Sequence, residues 1–196
     1  MRTALSGAHI NPAVTIGFWS VRRFPLSEIV PYVLSQCGGA VAAALVLRGI
    51  FGSAAQAGAT SPHVSTVSAF AVEWLLSFAL MFVIMAVATD ERVADGFAAL
   101  AVGLTVGFGA LMAGPVTGAS MIPARSFGPA LAGEAWQEHW IYRLAPVTGM
   151  LVAARTYEFL RSTSPPLAPA AGEVMLGVQG PLSSPQNHGD STRAVR

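Results

Sequence analysis

The chain has 196 residues, of which 53% are hydrophobic and only 11% are charged, and its mean hydropathy is +0.56. Because soluble domains carry about 25% charged residues, this composition excludes an ordinary soluble enzyme, a disordered chain and a coiled coil, and it indicates an integral membrane protein. The net charge is only +1 and lysine is absent, so no nucleic-acid partner is expected. Cys37 is the single cysteine, which excludes a disulfide framework, and no metal or cofactor is expected.

Six apolar segments follow one another along the chain. In order they are residues 11–19, 26–51, 69–89, 97–115, 123–131 and 137–160. A helix needs about 20 residues to cross a bilayer, so the four long segments are predicted to span it. The two short ones are predicted to be re-entrant half-helices within a membrane domain covering residues 1–161. Residues 162–196 have no sustained apolar period and are predicted to form a disordered tail.

The two predicted half-helices begin with related motifs. Residues 6–15 read SGAHINPAVT and residues 118–131 read GASMIPARSFGPAL, so the motifs lie 111 residues apart. Asparagine is a favoured N-cap and proline suits the next position, which makes the first motif a helix start. In the second motif isoleucine replaces asparagine, so the side-chain cap is predicted to be missing. The motif residues are Asn11, Pro12, Ala13, Ile122, Pro123 and Ala124.

An internal repeat of two broken helices is typical of a two-fold transport site in a membrane. If the half-helices meet with their N-termini facing one another, their positive dipole ends oppose the passage of cations. Such a barrier requires the helices rather than the asparagine, so it is expected to survive the change at Ile122.

With both motifs in view, the sequence resembles the aquaporin, or major intrinsic protein, family over approximately residues 6–160. The resemblance implies an all-α integral membrane bundle with two re-entrant half-helices, lacking the first two of the family's six spanning helices. It further implies a passive channel for water and for small neutral solutes such as glycerol or urea, assembled as a homotetramer in the lipid bilayer. The alternative is a non-conducting truncated membrane protein that at most associates with intact relatives.

The same resemblance assigns a selectivity filter. Arg125 matches the family's constriction arginine, and an arginine at membrane depth is costly enough to suggest function. Ala110 and Ala119 match two further filter positions, and their small side chains imply a wide constriction. Ser126 argues against glycerol, because glycerol facilitators typically carry aspartate directly after the arginine. The fourth filter position falls on a helix that the chain does not contain.

Two polar residues in the apolar segments are assigned to the scaffold. Glu73 lies in a predicted span, where an ionisable group needs a partner. The resemblance implies that its carboxylate accepts backbone amides of a re-entrant loop, and a proton relay is the alternative. Gln36 matches a family position near the loops.

The arginines predict the orientation in the membrane. Arg22, Arg23, Arg92, Arg155 and Arg161 fall on connections that would share one side. Because cytoplasmic loops carry an excess of arginine and lysine, a multi-pass protein of the cell membrane with a cytoplasmic C-terminus is expected.

Overall fold

The protein is an all-helical bundle. A computed structural model describes residues 7–52, 58–89 and 95–163, and for residues 95 and 96 it describes the backbone alone. Its helices are α1 (Pro12–Ser20), α2 (Ile29–Phe51), α3 (Thr66–Thr89), α4 (Asp95–Thr117), α5 (Pro123–Gly133) and α6 (Ile141–Thr163), and one 3-10 turn, Leu26–Glu28, precedes α2. These ranges contain no strand, and the all-α fold expected from the sequence is confirmed.

Three segments are long and apolar enough to cross a membrane, as judged by length and composition. They are Leu26–Phe51, Thr66–Thr89 and Phe97–Thr117. The fourth segment expected to span, residues 137–160, corresponds largely to α6, which has 23 residues but is not among the three. Its length suffices, but Arg143, Arg155 and Glu158 make its composition more polar than that of the others. Arg92 and almost all of the predicted tail lie outside the described residues.

Two pairs of helices pack closely through glycine. α5 lies against α2, where a Cβ placed on Gly128 would come within 2.4 Å of the backbone oxygen of Ala40. α6 lies against α3, where a Cβ on Gly149 would come within 2.6 Å of the oxygen of Trp74. Small residues permit such close backbone approach between membrane helices. Glycine at these two positions therefore sets the distance between the packed helices.

The largest core cluster joins α1, α3, α6, the loop that precedes α5 and one residue of α4, Ala113. Four fully or nearly fully buried methionines belong to it: Met81, Met85, Met121 and Met150. By contrast, α2 and α4 expose much of their apolar surface, with Leu111 and Met112 more than three-quarters exposed. An apolar outer face suits contact with lipid or with further apolar helices, so the buried core and the half-helices lie on the opposite side of these elements.

Replacing Gly128 with alanine is expected to destabilise the bundle. The added methyl group would overlap the backbone of Ala40, and overpacking of this kind costs about 1–3 kcal/mol. A Cβ added to Gly103 on α4 would meet no atom within 4 Å, so Gly103→Ala is the matched control. Thermal unfolding in detergent should show a lower midpoint for Gly128→Ala and an unchanged or higher one for Gly103→Ala. Equal midpoints would contradict the packing described here.

Candidate functional site

The first half-helix begins at an asparagine that also contacts the second. Asn11 is extended (φ −154°, ψ 119°), and its Oδ1 accepts a hydrogen bond from the amide of Ala13 at 2.9 Å. Pro12 follows at the first helical position, where no amide hydrogen is needed. The Asn11 Nδ2 donates to the carbonyl oxygen of Met121 at 3.0 Å, and Asn11 is 3% exposed. One buried side chain thus caps α1 and bonds to the loop before α5.

The second half-helix begins without a side-chain cap. Ile122 has a similar extended conformation (φ −130°, ψ 105°) and Pro123 follows it, but no side-chain hydrogen bond caps α5. The Ile122 side chain is half-buried and packs against the main core cluster. The geometry of the helix start is therefore retained, while the acceptor that Asn11 supplies in the first motif is absent.

The loops that enter the two half-helices share a backbone conformation. Three residues in each loop have positive φ, at positions that correspond across the 111-residue offset: Gly7 (74°), Ala8 (47°) and Ile10 (50°), then Gly118 (83°), Ala119 (42°) and Met121 (53°). A left-handed conformation costs about 1–2 kcal/mol for a residue with a side chain. Other contacts must therefore hold each loop in place.

In the second loop, a buried carboxylate provides those contacts. The Oε1 of Glu73 accepts from the hydroxyl of Thr117 at 2.7 Å and from the amide of Ser120 at 2.9 Å, and its Oε2 accepts from the amide of Met121 at 2.9 Å. Tyr142 on α6 donates its hydroxyl to the Thr117 carbonyl at 2.6 Å. Glu73 is fully buried, so its negative charge is stabilised by these donors.

Three buried hydroxyl groups surround the start of α5. Thr60 donates to Ser126 at 2.8 Å, Ser126 and Ser120 are 2.6 Å apart, and Ser120 donates to the carbonyl of Ile122 at 3.1 Å. Because the single hydroxyl hydrogen of Ser120 is directed to Ile122, Ser126 must donate to Ser120. The hydrogen bonds therefore run in one direction, a pattern in which each bond polarises the next. Ser126 is committed to this chain of hydroxyls.

Gln36 contacts the first half-helix. Its Nε2 donates to the hydroxyl of Thr15 at 3.3 Å, and that hydroxyl donates to the carbonyl of Asn11 at 3.1 Å. The His9 Nδ1 lies 3.2 Å from the same hydroxyl. The Thr15 hydroxyl oxygen can accept from the His9 Nδ1 when that nitrogen carries the hydrogen. His9 also stacks on Phe18, with ring centroids 4.9 Å apart.

The residues assigned to the filter lie in different surroundings. Ala110 is exposed on α4. It follows Gly109, where an added Cβ would lie 3.4 Å from the Met121 side chain. Ala119 is 7% exposed in the loop before α5. Arg125 is exposed, and no hydrogen bond from its guanidinium group is found in the described part of the chain. The structure thus brings Ala119 and Arg125 to the second half-helix, with α4 next to its entry loop.

A cavity of about 510 Å³ lies on the side of the first loop. Ala8, Ile10 and Val14 line it from the loop and α1, and Ile84 and Val102 line it from α3 and α4. Most of the lining side chains are apolar. The cavity therefore borders the first half-helix with few side-chain groups that could bind a solute tightly.

Two half-helices that begin inside an apolar helical bundle and bond to one another define the class of membrane channel and transport proteins. The family profile described as Major intrinsic protein matches residues 1–157. The chain belongs to the major intrinsic protein family, whose members are channels and not enzymes.

Individual relatives agree with this assignment. The chain is 46% identical over 165 residues to Nodulin-26 of Glycine max, covering 84% of this chain and 61% of that one. It is 44% identical over 157 residues to Aquaporin NIP6-1 of Arabidopsis thaliana, covering 80% and 52%. The X-ray structure of the aquaglyceroporin from Plasmodium falciparum has a TM-score of 0.69 at 27% identity, covering 79% of this chain and 73% of that one. The chain therefore spans between half and two-thirds of the length of these curated relatives.

The sequence does not point to several contact residues of the site. Thr60, Thr117 and Tyr142 are separated from their partners by 66, 44 and 25 residues, respectively. No local pattern marks them. Ser120 could have been singled out, because it occupies the position in the second motif that His9 occupies in the first.

Replacing Glu73 with glutamine is expected to destabilise the second loop. Glutamine keeps the size of the side chain but removes the charge and turns an NH₂ group toward donors, and a hydrogen bond to a charged group contributes about 1.5–3 kcal/mol. Ser77 lies one turn further along α3, is also fully buried, and has a hydroxyl with no hydrogen-bond partner among the described residues. Ser77→Ala should therefore leave thermal stability in detergent unchanged or raised, whereas Glu73→Gln should lower it. Similar midpoints for the two variants would show that the carboxylate does not hold the loop.

A second prediction concerns the missing cap at Ile122. Asparagine there would supply an acceptor for the first amides of α5, worth about 0.5–2 kcal/mol, but it would also lose the packing of the isoleucine side chain. Comparing Ile122→Asn with Ile122→Ala separates the two effects, because both variants lose that packing. The asparagine variant is expected to be more stable by about 1 kcal/mol in denaturant unfolding. An alanine variant of equal or greater stability would show that α5 gains nothing from a side-chain cap.

Proposed function

We propose that this chain forms a passive channel for water and small neutral solutes. The observation that carries the proposal is the hydrogen bond from the Asn11 Nδ2 to the Met121 carbonyl, which joins the entries of two half-helices that belong to one repeat. No covalent chemistry is involved, because the solute moves down its own gradient. The relatives include an aquaporin and an aquaglyceroporin, which supports conduction over the non-conducting alternative.

The half-helices supply the barrier to cations. Backbone amides at the N-termini of α1 and α5 carry partial positive charge, and this charge opposes a cation that approaches the point where the helices meet. The missing cap at Ile122 removes one polar group of the pore and leaves the backbone dipole of α5 in place. We therefore expect weaker contacts with water at this point than in a pore with two asparagines, and retained exclusion of cations.

Selectivity among neutral solutes is assigned to Ala110, Ala119 and Arg125. Two alanines leave room beside a guanidinium group, which can donate hydrogen bonds to hydroxyl or carbonyl oxygens. Such a constriction suits glycerol or urea as well as water. Glu73 and Gln36 act as scaffold in this proposal, because each contacts a half-helix or its entry loop.

The positions of the arginines and the family relationship support a membrane location, an orientation and an oligomeric state. A multi-pass protein of the cell membrane with its C-terminus in the cytoplasm is proposed, since Arg22, Arg23, Arg155 and Arg161 lie toward the ends of α1 and α6. A homotetramer is proposed from the resemblance alone.

The substitution Ala110→His tests the size filter. The imidazole would fill space that alanine leaves open, so the glycerol flux should fall several-fold more than the water flux. Both rates are measured by stopped-flow light scattering on the same proteoliposomes, against empty vesicles. Leu111→His is the matched control, because it adds the same side chain to the same helix at a neighbouring position that is 77% exposed.

Different results would contradict the proposed channel and the proposed filter. Water permeability no higher than that of empty vesicles would contradict the channel itself. Equal losses of glycerol and water flux in Ala110→His, or the same selective loss in Leu111→His, would contradict the assignment of the filter and leave the channel in place.

A further inference from the structure

A groove lies where the ends of α1 and α6 meet. Its volume is about 370 Å³, and its lining includes Arg22 from the turn after α1 and Arg155, Glu158 and Phe159 from α6. None of these residues belongs to the half-helix motifs or to the proposed filter. The groove is therefore a feature separate from the pore.

The charges in the groove leave two arginines without a partner. Glu158, the carboxylate of the lining, is bound by Arg23, whose Nη2 lies 3.1 Å and 3.3 Å from its two oxygens. Within the described part of the chain, Arg22 and Arg155 make no side-chain hydrogen bond or ion pair. Both side chains are exposed. The groove thus holds two free guanidinium groups beside a carboxylate that is already neutralised.

The two serines of the groove have no free hydroxyl hydrogen to donate to a bound anion. Ser20 donates its hydroxyl to the carbonyl of Gly17 at 2.8 Å, and Ser162 donates to the carbonyl of Phe159 at 2.8 Å. Their hydrogens are therefore directed into the helices. An anion in this groove would be bound by the arginines.

The turn after α1 fixes the place of Arg22. Its φ is +60°, a left-handed conformation that glycine usually supplies at a helix end. The Arg22 amide donates to the carbonyl of Trp19 at 2.9 Å, and the Arg23 amide donates to that of Phe18 at 2.9 Å. The two neighbouring arginines thus have different contacts, because Arg23 binds Glu158 and Arg22 lines the groove.

The apolar surroundings place this groove at a membrane surface. Phe159 is 66% exposed and Trp19 is 38% exposed next to the basic groups. Tryptophan favours the zone of the lipid headgroups, and each basic side chain near an anionic membrane surface adds to the attraction. Guanidinium groups bind phosphate oxygens with two parallel hydrogen bonds.

We propose that this groove binds the phosphate of an anionic phospholipid, with Arg22 and Arg155 as its donors and with the acyl chains along Phe159. The site ties the end of α1 to the end of α6 through a lipid headgroup. A tethered lipid is favoured over free phosphate because the exposed apolar side chains adjoin the arginines. The inference does not depend on conduction through the pore.

Native mass spectrometry of the full chain in detergent tests the proposal with phosphatidylglycerol and phosphatidylcholine. Each juxtamembrane arginine contributes about five-fold to the affinity for anionic lipid. Arg22→Gln and Arg155→Gln should each weaken the binding of phosphatidylglycerol about five-fold, and the double variant should weaken it more. Arg161→Gln is the matched control, because it removes the same charge from an exposed position of α6 outside the groove. It should change the affinity less than two-fold.

Rescue and competition complete the test. Arg155→Lys should retain most of the binding that Arg155→Gln loses, and Arg22→Gln tests the loss of binding if Arg155→Gln does not fold. Equal losses in Arg161→Gln and Arg155→Gln would overturn the site in favour of a general basic surface. Equal binding of phosphatidylcholine would overturn its preference for an anionic lipid. Full displacement of phosphatidylglycerol by inorganic phosphate at the same concentration would overturn the lipid as its ligand.

Discussion

The arrangement of the half-helices depends on the two hydrogen bonds that hold the backbone of Met121. Its amide donates to the buried carboxylate of Glu73, and its carbonyl accepts from the side chain of Asn11. Met121 has a left-handed backbone, which such bonds must stabilise. One peptide segment therefore connects α3, the second entry loop and the first half-helix, and the meeting point of the two helices follows from it.

The two halves of the repeat reach the same backbone geometry by different contacts. The first half-helix carries its own cap in Asn11 and is supported by Thr15 and Gln36. The second has no cap of its own, and its entry loop is held by Glu73 and by hydroxyl groups from distant parts of the chain. Loss of the asparagine at position 122 is thus compatible with a helix start that keeps its extended N-cap residue and its proline.

Much of this fold can be predicted from apolar segment length and from local capping chemistry. The starts of α1 and α5 are predictable because proline follows an N-cap position in each motif, and Glu73 stands out because a carboxylate in an apolar span requires a partner. Thr60 and Tyr142 are not predictable in this way, because their partners lie far away in the chain and their residue types are common in helices and loops. A prediction from segment length alone also counts α6 as a span, although its arginines make it more polar than the other long helices.

The distance in sequence between Glu73 and its donors affects how the protein enters a membrane. Thr117, Ser120 and Met121 follow Glu73 by 44, 47 and 48 residues. At a synthesis rate of about 5–20 residues per second, Glu73 leaves the ribosome roughly 2–10 s before the loop that supplies its hydrogen-bond donors. During that interval the carboxylate must remain hydrated or find other hydrogen-bond donors, since an unpaired carboxylate is unfavourable in lipid. Final placement of α3 in the bilayer is therefore coupled to the later arrival of α4 and the second loop.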